Sequence, residues 1–153
     1  MARKWLERVH PQSTEDRAMQ LLGLTWAAAD SAYLNDAARA LLACQRQDGG
    51  WSQLPNVETD AYATGQALVA LKLSGQVSAS DPAYQRGVGF LLRSQLTDGS
   101  WLVRSRTFPF QPYKESGFPH GKDQWISAAG TSWAAMALTL STPGDRPELS
   151  KLF

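Results

Sequence analysis

A short motif occurs twice in this sequence, and its recurrence constrains the fold more than any other feature. QRQDGGW occupies residues 45–51, and QLTDGSW occupies residues 95–101. The similarity extends upstream, where ARALLACQ (38–45) aligns with VGFLLRSQ (88–95). It resumes downstream between ATGQALVAL (63–71) and GTSWAAMAL (130–138), after an insertion in the second copy. Self-similarity on this scale predicts a stacked array of like units.

Each repeated segment has the composition of a helix. Alanine and leucine dominate, apolar residues recur at helical spacing, and strand-like alternation is absent. The sequence therefore predicts an all-α protein with five helices. We expect them at roughly residues 14–29, 32–46, 59–74, 81–95 and 124–141.

The predicted helices are of two kinds. The second and fourth have charges along one face, as at Arg39 and Arg86, whereas 61–71 and 124–144 are almost free of charge. A helix without a polar face needs partners on every side. The alternation predicts two layers, with the charged helices outside and the apolar helices inside.

Composition excludes several classes of protein. The chain has 153 residues, of which 43% are hydrophobic and 19% charged, as expected for a globular domain. A net charge of +1 without a basic cluster gives no basis for nucleic-acid binding. The single Cys44 cannot form an internal disulfide. The longest uncharged run is rich in small residues, which favours a buried helix over a membrane span.

The duplicated motif has a physical interpretation. Gln45 and Gln95 close outer helices, where backbone carbonyls lack partners that a side-chain amide could supply. The turns that follow include Gly49 and Gly99, and each leads to a tryptophan, Trp51 or Trp101. Large rings at these two positions predict a pin that fastens each repeat to the next.

Residues 86–101, RGVGFLLRSQLTDGSW, resemble the QW motif of terpenoid cyclases. The resemblance implies an α/α toroid, the fold shared by squalene–hopene cyclases and protein prenyltransferases, with residues 1–153 forming one repeat domain. Five helices are too few to close such a ring, so the resemblance implies a fragment or an association of chains. The matching positions are Arg86, Gly87, Phe90, Leu91, Gln95, Gly99 and Trp101 in the second copy, and Ala37, Leu41, Gln45, Gly49 and Trp51 in the first.

The catalytic groups that the resemblance implies are not evident. Class II cyclases protonate an alkene with an aspartate of a D-x-D-D motif, and the nearest sequence here is ETDAYA, at residues 58–63. It lacks paired aspartates, so we interpret Asp60 as a helix cap. Prenyltransferases bind zinc through Asp, Cys and His, but Cys44 is remote in sequence from His10 and His120. We therefore predict no metal and no cofactor.

The insertion, near residues 102–124, permits two interpretations. It is rich in aromatic and ionisable residues. It ends just before the predicted inner helix 124–141, and Asp60 lies at the start of the other predicted inner helix, 59–74. It could form the mouth of a site for an isoprenoid-like or other apolar molecule, or it could plug the end of the helical stack. The candidates for the mouth are Asp60, Tyr113, Glu115, His120, Asp123 and Trp125.

The sequence thus supports two functions. The favoured hypothesis is a terpenoid-cyclase-like module without a recognisable catalytic acid, acting as a scaffold or an apolar-ligand-binding unit. The alternative is part of a class II terpene cyclase or prenyltransferase-like enzyme whose catalytic motif lies outside this segment. Because the uncharged last helix has no polar cap after it, we also expect self-association or contact with missing toroid repeats.

Overall fold

The described residues form six α-helices and one pair of very short strands. The computed structural model describes residues 1–107 and 112–142, so Phe108 and Phe110 of the insertion lie outside the described residues. The elements are α1 (Ala2–Leu6), α2 (Thr14–Trp26), α3 (Ser31–Leu42), β1 (Trp51–Ser52), β2 (Thr59–Asp60), α4 (Ala61–Leu73), α5 (Pro82–Ser94), the 3₁₀ turn Gly121–Asp123 and α6 (Gln124–Ser141). The five predicted helices and the all-α class are confirmed. The toroid stays a prediction.

Side chains at the helix starts explain the helix boundaries. Ser13 accepts a hydrogen bond from the backbone N–H of Asp16 at 3.0 Å, and Asp16 accepts one in return from the backbone N–H of Ser13. Asp81 accepts from the backbone N–H of Ala83 at 2.8 Å, and Pro82 occupies the first helical position. These caps satisfy N–H groups that have no partner within the helix.

Helix α4 forms the centre of the molecule. Ala61 is buried, and so is every residue from Ala63 to Leu71. The helix contacts α2, α5 and α6 on different sides. A side chain at Gly65 would come within 2.6 Å of the backbone carbon of Trp133, so glycine permits the close approach of α6. The sequence prediction of a helix with partners all round is confirmed for α4.

Helix α6 differs from α4 because part of its surface is open. Ala134 and Ala137 are completely buried, whereas Trp125 is 62% exposed and Met136 is 44% exposed. Among the described residues, α6 contacts α4, α5, the preceding 3₁₀ turn and the stretch 101–103. Within the described part of the chain, no helix is long and apolar enough to cross a membrane.

Sequence reasoning missed α1 and the strand pair. Helix α1 has five residues and none of them is buried, so its own composition gives little signal. The side-chain amide of Gln20 fixes the segment by donating to the carbonyl of Leu6 at 2.7 Å. The strands pair antiparallel, with Trp51 opposite Asp60 and Ser52 opposite Thr59, and so join the first Gln–Trp turn to the start of α4.

Candidate functional site

The first Gln–Trp turn is held by hydrogen bonds within the repeat. The side-chain amide of Gln45 donates to the carbonyl of Gly49 at 2.8 Å. The indole N–H of Trp51 donates to the carbonyl of Leu41 at 2.8 Å, and the Trp51 side chain is fully buried. Leu41 lies in the last turn of α3, and its carbonyl also accepts from the backbone N–H of Cys44 at 3.1 Å, so the indole is a second donor at this helix end.

The second turn has the same geometry. Gln95 donates to the carbonyl of Gly99 at 3.0 Å, and the indole of Trp101 donates to the carbonyl of Leu91 at 2.8 Å. Gly49 and Gly99 both have positive φ, at 93° and 84°, a conformation that favours glycine. The sequence reasoning predicted a large ring at each of these two turns. The bond from each indole to a helix carbonyl was not foreseen.

Each turn is also joined to the inner helix that follows it. The backbone N–H of Trp51 donates to Oγ1 of Thr64 on α4 at 2.9 Å, and that of Trp101 donates to Oγ1 of Thr131 on α6 at 3.1 Å. Both threonines lie in the downstream segments that the sequence repeat had aligned. The two aligned segments therefore make equivalent hydrogen bonds to the two turns.

Asp60 lies at the start of α4 with both carboxylate oxygens engaged. One accepts from the backbone N–H of Ala63 at 2.8 Å, and the other accepts from the amide of Gln53 at 2.8 Å. The guanidinium of Arg106 lies 3.7 Å away. Burial raises the pKa of the Asp60 carboxyl, and the bonds from Ala63 and Gln53 oppose that shift. The geometry is that of a helix cap, as interpreted from the sequence.

Asp123 precedes α6 but does not cap it through its side chain. Its carboxylate accepts from the backbone N–H of Ser105 at 2.8 Å and from the Arg104 guanidinium at 3.2 Å. Burial alone would raise its pKa, but the bonds from Ser105 and Arg104 outweigh burial and lower it. Asp123 therefore anchors the loop that enters the insertion.

Two arginines of this loop connect the starts of the two inner helices. Arg104 pairs with Asp123 before α6, while Arg106 lies beside Asp60 before α4 and donates to the carbonyl of Glu58 at 3.4 Å. The stretch 104–106 thus lies across both helix starts. Sequence reasoning did not assign this role to Arg104 and Arg106.

The side chains of the other four mouth candidates make contacts with groups other than the carboxylates of Asp60 and Asp123. Tyr113 donates to Glu115 at 2.5 Å on the surface, which raises the pKa of Tyr113 and lowers that of Glu115. His120 forms a hydrogen bond with the hydroxyl of Ser100 at 2.8 Å, and Trp125 is 62% exposed. The backbone N–H of Asp123 donates to the carbonyl of His120 at 3.0 Å, but in the described residues no side chain of these four has a hydrogen bond or ion pair with the carboxylate of Asp60 or Asp123.

His120 fastens the insertion to the second turn. The hydroxyl of Ser100 also lies 2.6 Å from the carboxylate of Asp98 and donates to it, which lowers the pKa of Asp98. His120 has φ of 87°, a rare conformation for a residue other than glycine. Ser100, which the sequence reasoning did not single out, is therefore the contact between turn and insertion.

The described surface has a pocket of about 320 Å³ beside the first Gln–Trp turn, with Gln45 and Gln53 in its lining. It lies between the start of α2 and the end of α3, and Arg17, Cys44 and Arg46 are among its lining residues. None of the six mouth candidates lines it. Among residues 1–107 and 112–142, no cluster of three His, Cys, Asp or Glu side chains is placed to hold a metal ion.

The described residues define an all-α protein in which two Gln–Trp turns, each between two helices, have the same hydrogen bonds. Comparison with known families agrees with this class. Residues 2–95 match the model of the squalene–hopene cyclase N-terminal domain. The chain belongs to that family. The match includes the first Gln–Trp turn and ends at Gln95, before the insertion.

Proposed function

We propose that this chain is a structural repeat unit of squalene–hopene-cyclase type that does not itself supply a catalytic acid. The observation that carries the proposal is the environment of Asp60, the residue nearest to the acidic motif that the resemblance implies. Both of its oxygens accept hydrogen bonds, and Arg106 lies 3.7 Å away. Such a carboxylate is a cap and a link between elements.

The demands of alkene protonation support this proposal. A proton donor to an alkene must keep its carboxyl protonated and direct the O–H at the substrate. Burial raises the pKa of Asp60, but a proton on either oxygen would displace a bond from Ala63 or Gln53, so neither oxygen is free to direct an O–H at a substrate. Asp123 is less suitable still, because its bonds from Ser105 and Arg104 lower its pKa.

The family match favours a second candidate function. Because the matching model describes the N-terminal domain of a squalene–hopene cyclase, the chain would then contribute helices to an enzyme whose catalytic motif lies on another segment. The pinned repeats would position that segment and would take no part in the chemistry. Both candidates give the described residues the same structural role.

Binding of an apolar ligand without catalysis is a further variant of the scaffold proposal. The exposed ring of Trp125 and the pair Tyr113–Glu115 would provide an apolar face and a polar end. Arg104 pairs with Asp123 before α6, and Arg106 lies beside Asp60 before α4. Because these pairs cover the starts of both helices and leave less room for a ligand there, we favour the scaffold without a ligand. Quenching of tryptophan fluorescence by squalene, compared in wild type and Trp125→Phe, distinguishes the two variants.

Turnover of squalene tests the proposal. The purified chain is incubated with squalene in detergent, and products are separated by gas chromatography with mass detection. We expect no cyclised triterpene from the wild type or from Asp60→Asn. A cyclised product that Asp60→Asn abolishes would contradict the proposal, whereas a product formed only after addition of another segment of the protein would favour the second candidate.

A further inference from the structure

The pocket beside the first Gln–Trp turn has no part in the proposed structural role. Its lining comes from three segments, which are 12–17 at the start of α2, 43–46 directly after α3, and 52–55 after the turn. Its volume of about 320 Å³ is at the small end of the range for ligand pockets, which is about 300–1,000 Å³. The pocket is therefore of a size that suits a small molecule.

Two guanidinium groups line this pocket, and neither is paired with a carboxylate. Arg17, near the start of α2, is half-buried and has no ion pair among the described residues. Arg46 donates to Oγ of Ser52 at 3.0 Å and to the carbonyl of Pro55, which are both neutral acceptors. The described residues that line the pocket include no Asp or Glu. The pocket therefore has two positive charges that no lining residue neutralises.

The carboxylate next to Arg17 in the sequence is engaged outside the pocket. Oδ2 of Asp16 accepts from the backbone N–H groups of Gln12 and Ser13 at 3.1 and 3.0 Å. Asp16 and Arg17 attract each other, but Asp16 does not line the pocket. No position three or four residues from Arg17 has an acidic side chain that could reach it along the helix. The guanidinium of Arg17 is thus available to a ligand.

The helix ends beside the pocket do not supply the donors for an anion. The backbone N–H of Thr14 donates to the carbonyl of Gln53 at 3.1 Å, and that of Arg17 donates to the carbonyl of Ser13 at 3.2 Å. The C-terminal end of α3 lies at the same pocket, and such an end repels negative charge. An anion would therefore be bound by the two guanidinium groups and not by backbone groups.

The rest of the lining is neutral and of mixed polarity. Gln12 and Gln53 have side-chain amides, which form hydrogen bonds with hydroxyl groups. Leu54 and Pro55 are apolar and can contact carbon atoms. Such a lining suits an anion that is attached to a short carbon chain with hydroxyl groups.

We propose that this pocket binds a small phosphate monoester, with its phosphoryl oxygens on Arg17 and Arg46. A phosphate monoester carries about 1.5 to 2 negative charges at pH 7 and has three strong acceptor oxygens. Guanidinium groups match such oxygens in geometry, and the bonds are charge-assisted. The site goes beyond the proposed structural role and does not depend on it.

Alkylation of Cys44 tests the proposal. Cys44 lines the pocket and is the single cysteine of the chain, so its labelling reports on occupancy. The full chain is treated with iodoacetamide, an uncharged reagent, and the rate is followed by intact-mass spectrometry. Glycerol 3-phosphate is the probe, and glycerol at the same ionic strength is its control. We expect glycerol 3-phosphate to slow the labelling in a saturable manner and glycerol to leave the rate unchanged.

Arg17→Gln tests the contact with the phosphoryl group. Loss of one charge-assisted bond should raise the concentration that gives half-protection about tenfold. Arg8→Gln removes the same charge from an exposed arginine outside the pocket and should leave protection unchanged. Because Arg17 has no ion pair among the described residues, we expect the urea unfolding midpoint of Arg17→Gln to equal that of wild type.

Titration calorimetry with glycerol 3-phosphate gives a second measurement that does not require the thiol to react. Absence of protection together with absence of a heat of binding would overturn the proposal. Equal protection of wild type and Arg17→Gln would also overturn it. Stronger protection by succinate, which has two separate carboxylates, would contradict the assignment of a phosphate monoester, and so would equal protection by inorganic phosphate.

These outcomes are independent of squalene turnover. Failure of phosphate-ester binding would leave the proposed structural role intact, and a chain that cyclises squalene could still bind the ester at this pocket.

Discussion

The backbone N–H of Trp101 donates a hydrogen bond to Oγ1 of Thr131 at 3.1 Å, and this bond joins the second outer-helix turn to α6. Its counterpart is the 2.9 Å bond from Trp51 to Thr64 on α4. In both repeats a tryptophan whose ring closes one helix has a backbone fixed to another. Each tryptophan therefore joins its own turn to the helix before it and to the helix after it.

Replacing Thr131 with valine tests this link. Valine preserves the shape of the side chain but removes the acceptor, so the N–H of Trp101 loses its partner. An unsatisfied buried donor costs about 1–3 kcal/mol, and we expect a loss of that size in the free energy of unfolding by urea. Ser132→Ala, at an exposed position of the same helix, is the control and should have little effect. Equal effects of the two variants would contradict the link.

The dependence of the free energy of unfolding on acidic pH tests the anchoring role of Asp123. Its pKa is lowered below the ordinary value of an aspartate, so ionised Asp123 stabilises the folded state. That contribution is present above the unfolded pKa and is lost as pH falls through the lower folded value. We expect Asp123→Asn to be less stable than wild type at pH 7 and the difference to shrink below about pH 4. A difference that is constant with pH would contradict this role.

Asp60 should show the opposite dependence on pH. Burial raises its folded pKa above 3.8, so the folded state binds more protons than the unfolded state between the two values. Its contribution to stability therefore decreases as pH rises through that window. Asn can still accept the bond from Ala63 and cap the helix. We expect Asp60→Asn to remove this decrease and to match or exceed wild-type stability at pH 7 in thermal melts. A large loss of stability at pH 7 would contradict this and would show that the negative charge of Asp60 stabilises the fold through its pair with Arg106.

The open surface of α6 predicts self-association. Trp125 and Met136 are large apolar residues that are 62% and 44% exposed. Apolar surface of this kind favours contact between chains. We expect sedimentation coefficients that increase with protein concentration, and Met136→Lys should reduce the increase. A monomer at all concentrations that binds no hydrophobic dye would be the contrary result.

Much of the fold was accessible from the sequence because its signals are local. Helix starts at Ser13 and Asp81 depend on side chains one to three residues from the N–H groups that they cap. The positive φ of Gly49 and Gly99 follows from glycines at the turns. The repeat itself predicted which segments correspond, and the same hydrogen bonds recur in both copies.

The candidate site was less accessible because its contacts are long-range. Arg106 lies near Asp60 although 46 positions separate them in the sequence, and nothing near either residue specifies the other. Ser100 and His120 likewise meet only because the insertion returns to the second turn. The sequence predicted that Asp60 and Asp123 precede inner helices. Only the structure shows that Arg106 lies beside the carboxylate of Asp60 and Arg104 beside that of Asp123.

The most direct test of the central claim is the stability of Trp101→Ala. Trp101 is 3% exposed and its indole bonds to Leu91, so truncation removes a large buried ring and a helix-end partner. We expect the free energy of unfolding to fall by about 3–5 kcal/mol, as in other large core deletions, with a similar loss for Trp51→Ala. Trp125→Ala, at an exposed position, should change it little. A Trp101→Ala unfolding midpoint equal to that of wild type within error would contradict the structural role of the Gln–Trp turns.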